Sequence, residues 1–90
     1  MKIHKVKIWP EYFRAVQDGS KTFEVRNDDR GYIKGDTIVL REWNPANSKY
    51  TGYSLTFTIG YVYAVDDFVV CFSLLPAHLV RSSRKRKEGR

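Results

Sequence analysis

A two-residue alternation of apolar and polar side chains recurs along this chain and constrains its fold more than any other feature. In "YSLTFTI", residues 53–59, aromatic and aliphatic residues alternate with Ser and Thr. Because successive side chains of a β-strand point to opposite faces, the aromatic and aliphatic residues share one face and the Ser and Thr residues share the other. We expect that the following residues point inward: Tyr53, Leu55, Phe57 and Ile59. Such segments predict five strands, at residues 2–9, 21–27, 37–43, 53–65 and 68–75.

One helix is predicted over residues 10–18, "PEYFRAVQD". Pro10 suits the first turn of a helix, and Glu11 is favourable near the positive end of the helix dipole. Gly19 is the expected stop. An apolar stripe on this helix is formed by Tyr12, Phe13 and Val16.

Turn and bulge signals divide the strands. Gly60, inside a strand pattern, predicts a bulge that reverses which residues face inward. Gly35 before Asp36 predicts a tight turn with positive φ. Asp66-Asp67 predicts a two-residue turn, and the apolar run that follows it predicts a strand buried on both faces. Residues 76–80 are expected to form one helical turn.

The order of elements, a strand, a helix and then four strands, is incompatible with a doubly wound parallel sheet. It favours a mainly β, α+β fold: a small, mostly antiparallel β-barrel, closed or nearly closed, with the helix plugging an opening. Ninety residues make one domain. We place that domain at residues 1–80 and a separate basic tail at residues 81–90.

The net charge of +6 is concentrated in the tail, "RSSRKRKEGR". Six Lys and Arg side chains stand there against one Glu, so residues 1–80 are nearly neutral. A segment with so little to bury is expected to be disordered, and it would either add non-specific affinity for phosphates or keep the protein in solution. The nearly neutral domain argues against a broad electrostatic grip on duplex nucleic acid.

The sequence predicts a cytoplasmic protein that does not bind membranes, since it shows neither a spanning apolar run nor a signal peptide. Its single cysteine, Cys71, excludes an internal disulfide, and its apolar surroundings predict a buried, unreactive thiol. His4 and His78 have no matched partners, so neither a metal nor a cofactor is predicted. For His4 we expect a structural hydrogen bond.

The segment "GSKTFEVR", residues 19–26, combines Lys21, Glu24 and Arg26. Glu24 and Arg26 are two positions apart on a strand, roughly 7 Å, and therefore share a face, toward which Lys21 can bend. Flanking cations keep a carboxylate charged, ready to hold an exocyclic amine or to activate water. Arg26 offers a planar fork for phosphate or a base edge. The alternative is a surface ladder of ion pairs, worth about 0–1 kcal/mol.

The same segment resembles the G-x-K-x-x-E-x-R motif of the ASCH domain, a family of the PUA-like superfamily. The preceding "HKVKIWPEYFRAVQDG" is similar to the strand and helix of that family, and the following "YIKGDTIVLREW" to its next strand. The resemblance covers roughly residues 4–75 and is greatest to a small bacterial and phage subgroup of unknown function.

This resemblance implies a β-barrel with a cleft between helix and barrel, near Lys21, Glu24 and Arg26. It also implies RNA, a nucleotide or a nucleoside as the ligand, because PUA-like domains commonly bind RNA. Some ASCH relatives are enzymes, in which case Lys21 and Glu24 would be the catalytic residues. One such group, which hydrolyses an acetylated cytidine, has Thr where this chain has Glu24, so the same reaction is not expected here.

Aromatic residues next to loops are candidates for stacking on bases: Trp9, Tyr12, Trp43 and Tyr50. Core packing or a surface brace is the alternative for each. Three functions are therefore open: a module that binds RNA or a nucleotide, a hydrolase acting on a modified nucleoside or RNA, and a phage or prophage protein that binds a host protein. A monomer is expected.

Overall fold

The structure is a computed structural model and describes residues 1–77. Its elements are β1 (Ile3–Ile8), α1 (Pro10–Gln17), β2 (Phe23–Asn27), β3 (Thr37–Asn44), β4 (Lys49–Ala64) and β5 (Val69–Pro76). The predicted order of one strand, one helix and four strands is confirmed. In this part of the chain, no helix is both long and apolar enough to cross a membrane.

All five strands form one sheet, in the order β1-β3-β4-β5-β2. Neighbouring strands are antiparallel except β1 and β3, which run parallel because α1 and β2 connect them as a crossover. The mainly β architecture with one short helix is confirmed. The sheet is a curled half-barrel rather than a closed barrel, since β1 and β2 remain its two outer strands.

The core lies inside the curl of the sheet. Its largest fully buried side chains are Ile38, Leu40, Ile59 and Phe72. Each of these contributes roughly 1.5–3 kcal/mol by leaving water. From α1, Phe13 and Val16 are buried against this core, whereas Tyr12, which we had expected on the same stripe, is half exposed.

Strand β4 faces the core only from Leu55 onward. Leu55, Phe57 and Ile59 pack inward as predicted. Tyr53, expected to be inward as well, is 70% exposed, because the first six residues of β4 are exposed and lie beyond the core. The bulge predicted at Gly60 is confirmed: the register shifts between Ile59 and Val62, so that Val62 packs against the core.

Strand β5 differs from the prediction of burial on both faces. Val70, Phe72 and Leu74 are buried, whereas the alternate positions are half-buried or exposed. Cys71 is accordingly half-buried and not part of the core. The physical reason is that no second layer covers the outer face of this sheet in the part of the chain described.

The connections were predicted less accurately. Four residues, not two, link β4 to β5, and Asp66 Oδ1 accepts hydrogen bonds from the N–H groups of Phe68 and Val69, at 2.7 and 2.8 Å. Pro76 ends β5 instead of starting the predicted helical turn, and helical backbone begins one residue later, at Ala77. The remainder of that predicted turn, His78 and the basic tail lie outside the described residues.

A buried polar pair fixes the start of β1 against the turn before β3. Gly35 has φ +95°, as predicted, and Asp36 follows it. Asp36 Oδ2 lies 2.9 Å from His4 Nε2, and Asp36 Oδ1 accepts the Lys2 N–H at 3.0 Å. The hydrogen bond from His4, followed by that from Lys2, lowers the pKa of Asp36 below its ordinary 3.8. The prediction of a structural hydrogen bond at His4 is confirmed.

Candidate functional site

The turn that follows α1 places Lys21 at the site. The helix ends at Gln17, and Gly19 takes a left-handed conformation with φ +85°, which a residue with a side chain adopts at a cost. The chain then turns back, and the Lys21 N–H donates to the carbonyl of Ala15 at 3.0 Å. Lys21 therefore stands at the entry to β2, next to the helix it has just left.

Strand β2 has its charged face turned inward. Phe23 and Val25 are 44% and 54% exposed, whereas Glu24 is 4% exposed. This orientation is the opposite of an ordinary amphipathic strand, in which the apolar residues would be buried. Since burying an unpaired carboxylate is costly, the inward position of Glu24 requires partners on the same side.

Lys21 and Arg26 supply these partners. The ammonium group of Lys21 contacts Glu24 Oε1, and Arg26 Nε donates to Glu24 Oε2 at 2.9 Å. Each carboxylate oxygen is thus held by a different cation, and the group of three carries a net charge of about +1. The expected convergence of the three side chains is confirmed as geometry. With its side chain only 5% exposed, Glu24 is not part of a solvated surface ladder.

Two backbone carbonyls fix the cations from behind. Lys21 Nζ donates to the carbonyl of Phe23 at 2.7 Å, on the strand that carries Glu24. Arg26 Nη2 donates to the carbonyl of Lys7 at 2.6 Å, on the opposite outer strand of the sheet. The orientation of all three side chains is therefore determined by the backbone before any ligand arrives.

These side chains line an open hollow of about 540 Å³, which we call the cleft. The cleft lies where the end of β1, the first turn of α1 and strand β2 meet. Trp9 and Tyr12 line it as well and are 51% and 49% exposed. Two of the four aromatic residues considered for stacking are thus next to the charged group.

The other two aromatic candidates lie elsewhere. Trp43 and Tyr50 form a cross-strand pair between β3 and β4, with ring centroids 4.9 Å apart in an edge-to-face arrangement. Trp43 does not line the cleft. Its alternation with the buried Glu42 places it on the outer face of the sheet.

Sequence reasoning missed several residues of the cleft, notably Lys7, Asn27 and Val69. Both Lys7 and Val69 belong to strands distant in sequence: the curl of the sheet brings Lys7 here, whereas Val69 is the pairing partner of Asn27 on the neighbouring strand β5. Asn27 could have been found, because it directly follows Arg26 on the strand that carries the motif. The buried Glu42, whose Oε1 accepts a 2.7 Å hydrogen bond from Thr51, was also missed, and it lies outside the cleft.

The arrangement leaves capacity for a ligand. A carboxylate oxygen has two lone pairs, so each oxygen of Glu24 can accept a further N–H from a bound molecule. Lys21 and Arg26 retain partly exposed side chains, 19% and 23%, on the side of the cleft. The cleft therefore offers hydrogen-bond acceptors, cations and two aromatic rings within one space.

Comparison of the amino-acid sequence with known proteins identifies a family. Residues 3–73 match the family described as a domain of unknown function, DUF3850. A similar protein is the uncharacterized 12.9 kDa protein in GpA 3'region of Escherichia phage P2, which is 38% identical over 74 residues. That alignment covers 82% of this chain and 66% of the phage protein, just under two thirds of its length. The matched segment includes Lys21, Glu24 and Arg26, and the chain belongs to the DUF3850 family.

Proposed function

We propose that the cleft binds a nucleoside unit of RNA or of a free nucleotide. The observation that carries this proposal is the position of Glu24: a charged side chain, almost fully buried, at an open cleft with aromatic rings beside it. An ion pair that only stabilises the fold does not need an open cleft beside it.

Glu24 would recognise the hydrogen-bonding edge of a base. A carboxylate accepts N–H groups, and the exocyclic amines of adenine, cytosine and guanine supply them. Since the carboxylate is buried, a ligand without a matching donor would desolvate it without compensation. An exocyclic amine carries two N–H donors whereas uracil presents only its N3–H, so we expect bases that carry an amine to bind more tightly than uracil.

Trp9 and Tyr12 would supply stacking. Single-stranded bases stack on exposed aromatic side chains, worth about 1–3 kcal/mol for each base. The volume of the cleft, about 540 Å³, falls within the range typical of small-molecule sites. A base resting against one of these rings would direct its polar edge toward Glu24.

The cations would hold phosphate. One of the two cations balances Glu24, so the group formed by Lys21, Glu24 and Arg26 keeps a net positive charge at the cleft. Arg26 already donates from Nε and Nη2, so its remaining guanidinium N–H groups would contact the phosphate. The resemblance of "GSKTFEVR" to the ASCH motif supports the same ligand class, because the motif residues and the cleft residues coincide.

A hydrolase acting on a modified nucleoside or RNA is the second candidate. The direct contact of Lys21 with Glu24 inside an open cleft favours it, since such a pair could position and activate water. The absence of Thr at position 24 disfavours the amidohydrolase reaction of the resembled family. A host protein as partner is a third proposal, supported by the similarity to a phage P2 protein.

The test is a binding titration of each ribonucleoside monophosphate and of short RNAs against Glu24→Gln. We expect the affinity to fall at least tenfold, about 1.4 kcal/mol. Glu42→Gln is the matched control, because Glu42 is also buried and hydrogen-bonded but does not line the cleft. Unchanged affinity in Glu24→Gln for every ligand that binds the wild type would leave the motif as a structural strand. Incubation with the same ligands detects any hydrolysis.

A further inference from the structure

Two more hollows continue from the cleft around the edge of β1. One, which we call the slot, measures about 330 Å³ and lies between β1 and the end of β2, with Lys7, Arg26 and Asn27 lining both slot and cleft. The other, the outer groove, measures about 320 Å³, and Lys5 and Tyr50 line both groove and slot. Each hollow therefore shares lining residues with the next, and we call this succession around the edge of β1 the path.

The slot and the outer groove carry an excess of positive charge. Their charged lining residues are Lys5, Lys7, Arg26, Arg30, Arg41 and Asp29. Asp29 lies 3.9 Å from Arg30 Nε, and Glu24 holds Arg26. The excess positive charge is therefore carried by Lys5, Lys7 and Arg41. This contrasts with the near-neutral composition of residues 1–80 and shows that the cations of the domain cluster along the edge of β1.

Aromatic rings alternate with these cations on the outer face of the sheet. Lys7 Nζ lies 3.9 Å from the centre of the Trp43 ring, and the Trp43 and Tyr50 rings are 4.9 Å apart. Arg41 Cζ lies 3.8 Å from the centre of the Tyr50 ring. Tyr50 remains 40% exposed. Rings held between cations are the surface that single-stranded nucleic acids use, with bases on the rings and phosphates on the cations.

We infer that the path carries a strand of nucleic acid, so that the ligand of the cleft is one nucleotide within a single-stranded oligonucleotide. This inference rests on the proposed function of the cleft and adds the substrate class. A base that reaches Glu24 must be unpaired, which excludes a continuous duplex at this position. The neighbouring nucleotides would follow the slot to Tyr50, giving a site of about four nucleotides, at the lower end of the range for small β-barrels.

The experiment compares affinities of single-stranded RNA and DNA from one to about eight nucleotides for the full chain. We expect the affinity to rise with length and to level off near four nucleotides. Lys5→Gln and Arg41→Gln should each weaken oligonucleotide binding and reduce the slope of log K against log salt by about 0.7. Neither should change the affinity for a mononucleotide, which occupies only the cleft.

Two control variants are matched in residue type. Lys34→Gln and Arg14→Gln remove exposed cations that line none of the three hollows, and they should leave the affinity and the salt slope nearly unchanged. Tyr50→Leu keeps an apolar side chain but removes the ring, and should weaken oligonucleotide binding about tenfold. Lys5 is exposed, so its variant should retain the wild-type melting temperature even where a change at Arg41 disturbs the sheet.

The outcomes separate this inference from the proposed function. If mononucleotides bind and longer strands bind no more tightly, the path is overturned and the cleft stands. If oligonucleotides bind and respond to Lys5→Gln but not to Glu24→Gln, strands bind along the slot and outer groove without a base in the cleft, so the proposed function fails together with the inference that rests on it. An acidic peptide that binds as tightly as the oligonucleotides, with the same response to Lys5→Gln, would overturn the path as a nucleic-acid site. Absence of binding to every nucleotide and strand would overturn both.

Discussion

Arg26 connects the two outer strands of the sheet: its Nη2 donates to the carbonyl of Lys7 at 2.6 Å, while its Nε holds Glu24 on its own strand. The sheet order places β1 and β2 at opposite edges, so this contact bridges the opening of the half-barrel. The side chain that fixes the carboxylate of the candidate site therefore also fixes the separation of the two walls of the cleft.

The substitution Arg26→Lys tests how much these two contacts stabilise the fold. An ammonium group is compact and cannot hold Glu24 on one side and the Lys7 carbonyl on the other in the way a guanidinium fork does. We expect a loss of about 1–2 kcal/mol in the free energy of unfolding, near the lower value for one hydrogen bond to a charged group, because the Arg26 side chain is 23% exposed. Chemical denaturation measures it.

The control for this substitution is Arg30→Lys, in the connection after β2, where the side chain is 44% exposed. That change should stay within about 0.5 kcal/mol, as for ordinary surface positions. An Arg26→Lys protein as stable as wild type would show that the bridge between the outer strands contributes nothing to folding.

Lys21→Ala should cost more stability than Glu24→Gln. Removing Lys21 leaves a carboxylate that is 5% exposed with one of its two cationic partners, whereas Glu24→Gln removes the buried charge itself. We expect a loss of about 1–2 kcal/mol for Lys21→Ala and under about 1 kcal/mol for Glu24→Gln, because the two cations remain partly solvated. Equal losses, measured by urea denaturation, would contradict this account of how Glu24 is held.

The convergence of Lys21, Glu24 and Arg26 could be predicted from the sequence because it is local. Alternation on one strand determines that Glu24 and Arg26 share a face, and the position of Gly19 determines where the chain turns before Lys21. The exposure of Phe23 and Val25 could not be predicted, since alternation shows that two faces differ but not which one points inward. In this half-barrel the charged face of β2 points inward and its apolar face points outward, which is the opposite of an ordinary amphipathic strand.

The walls of the cleft depend on contacts that are distant in sequence. Lys7 reaches Arg26 only because the sheet curls and places β1 near β2, and no pattern within either strand records that curl. Trp43 adjoins a loop in the sequence, as Trp9 does, yet its alternation with the buried Glu42 places it on the outer face. Prediction of the site was therefore accurate within the motif and incomplete beyond it.

The pair formed by His4 and Asp36 should make folding sensitive to acid. The hydrogen bond from His4 lowers the pKa of Asp36 in the folded protein, so the unfolded chain binds more protons near the ordinary value of 3.8. The stabilisation is therefore complete above that value and is lost as the pH falls through the lower pKa of the folded state. His4→Gln should weaken this dependence.

Urea denaturation of wild type and His4→Gln across the acidic range measures the effect. The difference in unfolding free energy between the two proteins should shrink as the pH falls below about 3.8, where the unfolded chain begins to bind a proton at Asp36, and on through the lower pKa of the folded state. A difference that stays constant through this range would show that Asp36 does not depend on His4 for its charge.

Gly60 is required by the close approach of β5 at the bulge. A Cβ added there would lie 2.3 Å from Ser73 Oγ and 3.2 Å from Leu75 Cγ, and the same Ser73 hydroxyl accepts the Tyr61 N–H at 2.9 Å. Gly60→Ala should therefore cost about 1–3 kcal/mol, as overpacking does in other cores. Because the nearest atom is the hydroxyl, the same substitution should cost less in a Ser73→Ala background. A double-mutant cycle by thermal or urea denaturation measures that coupling, and additive losses would show that the two residues do not compete for the same space.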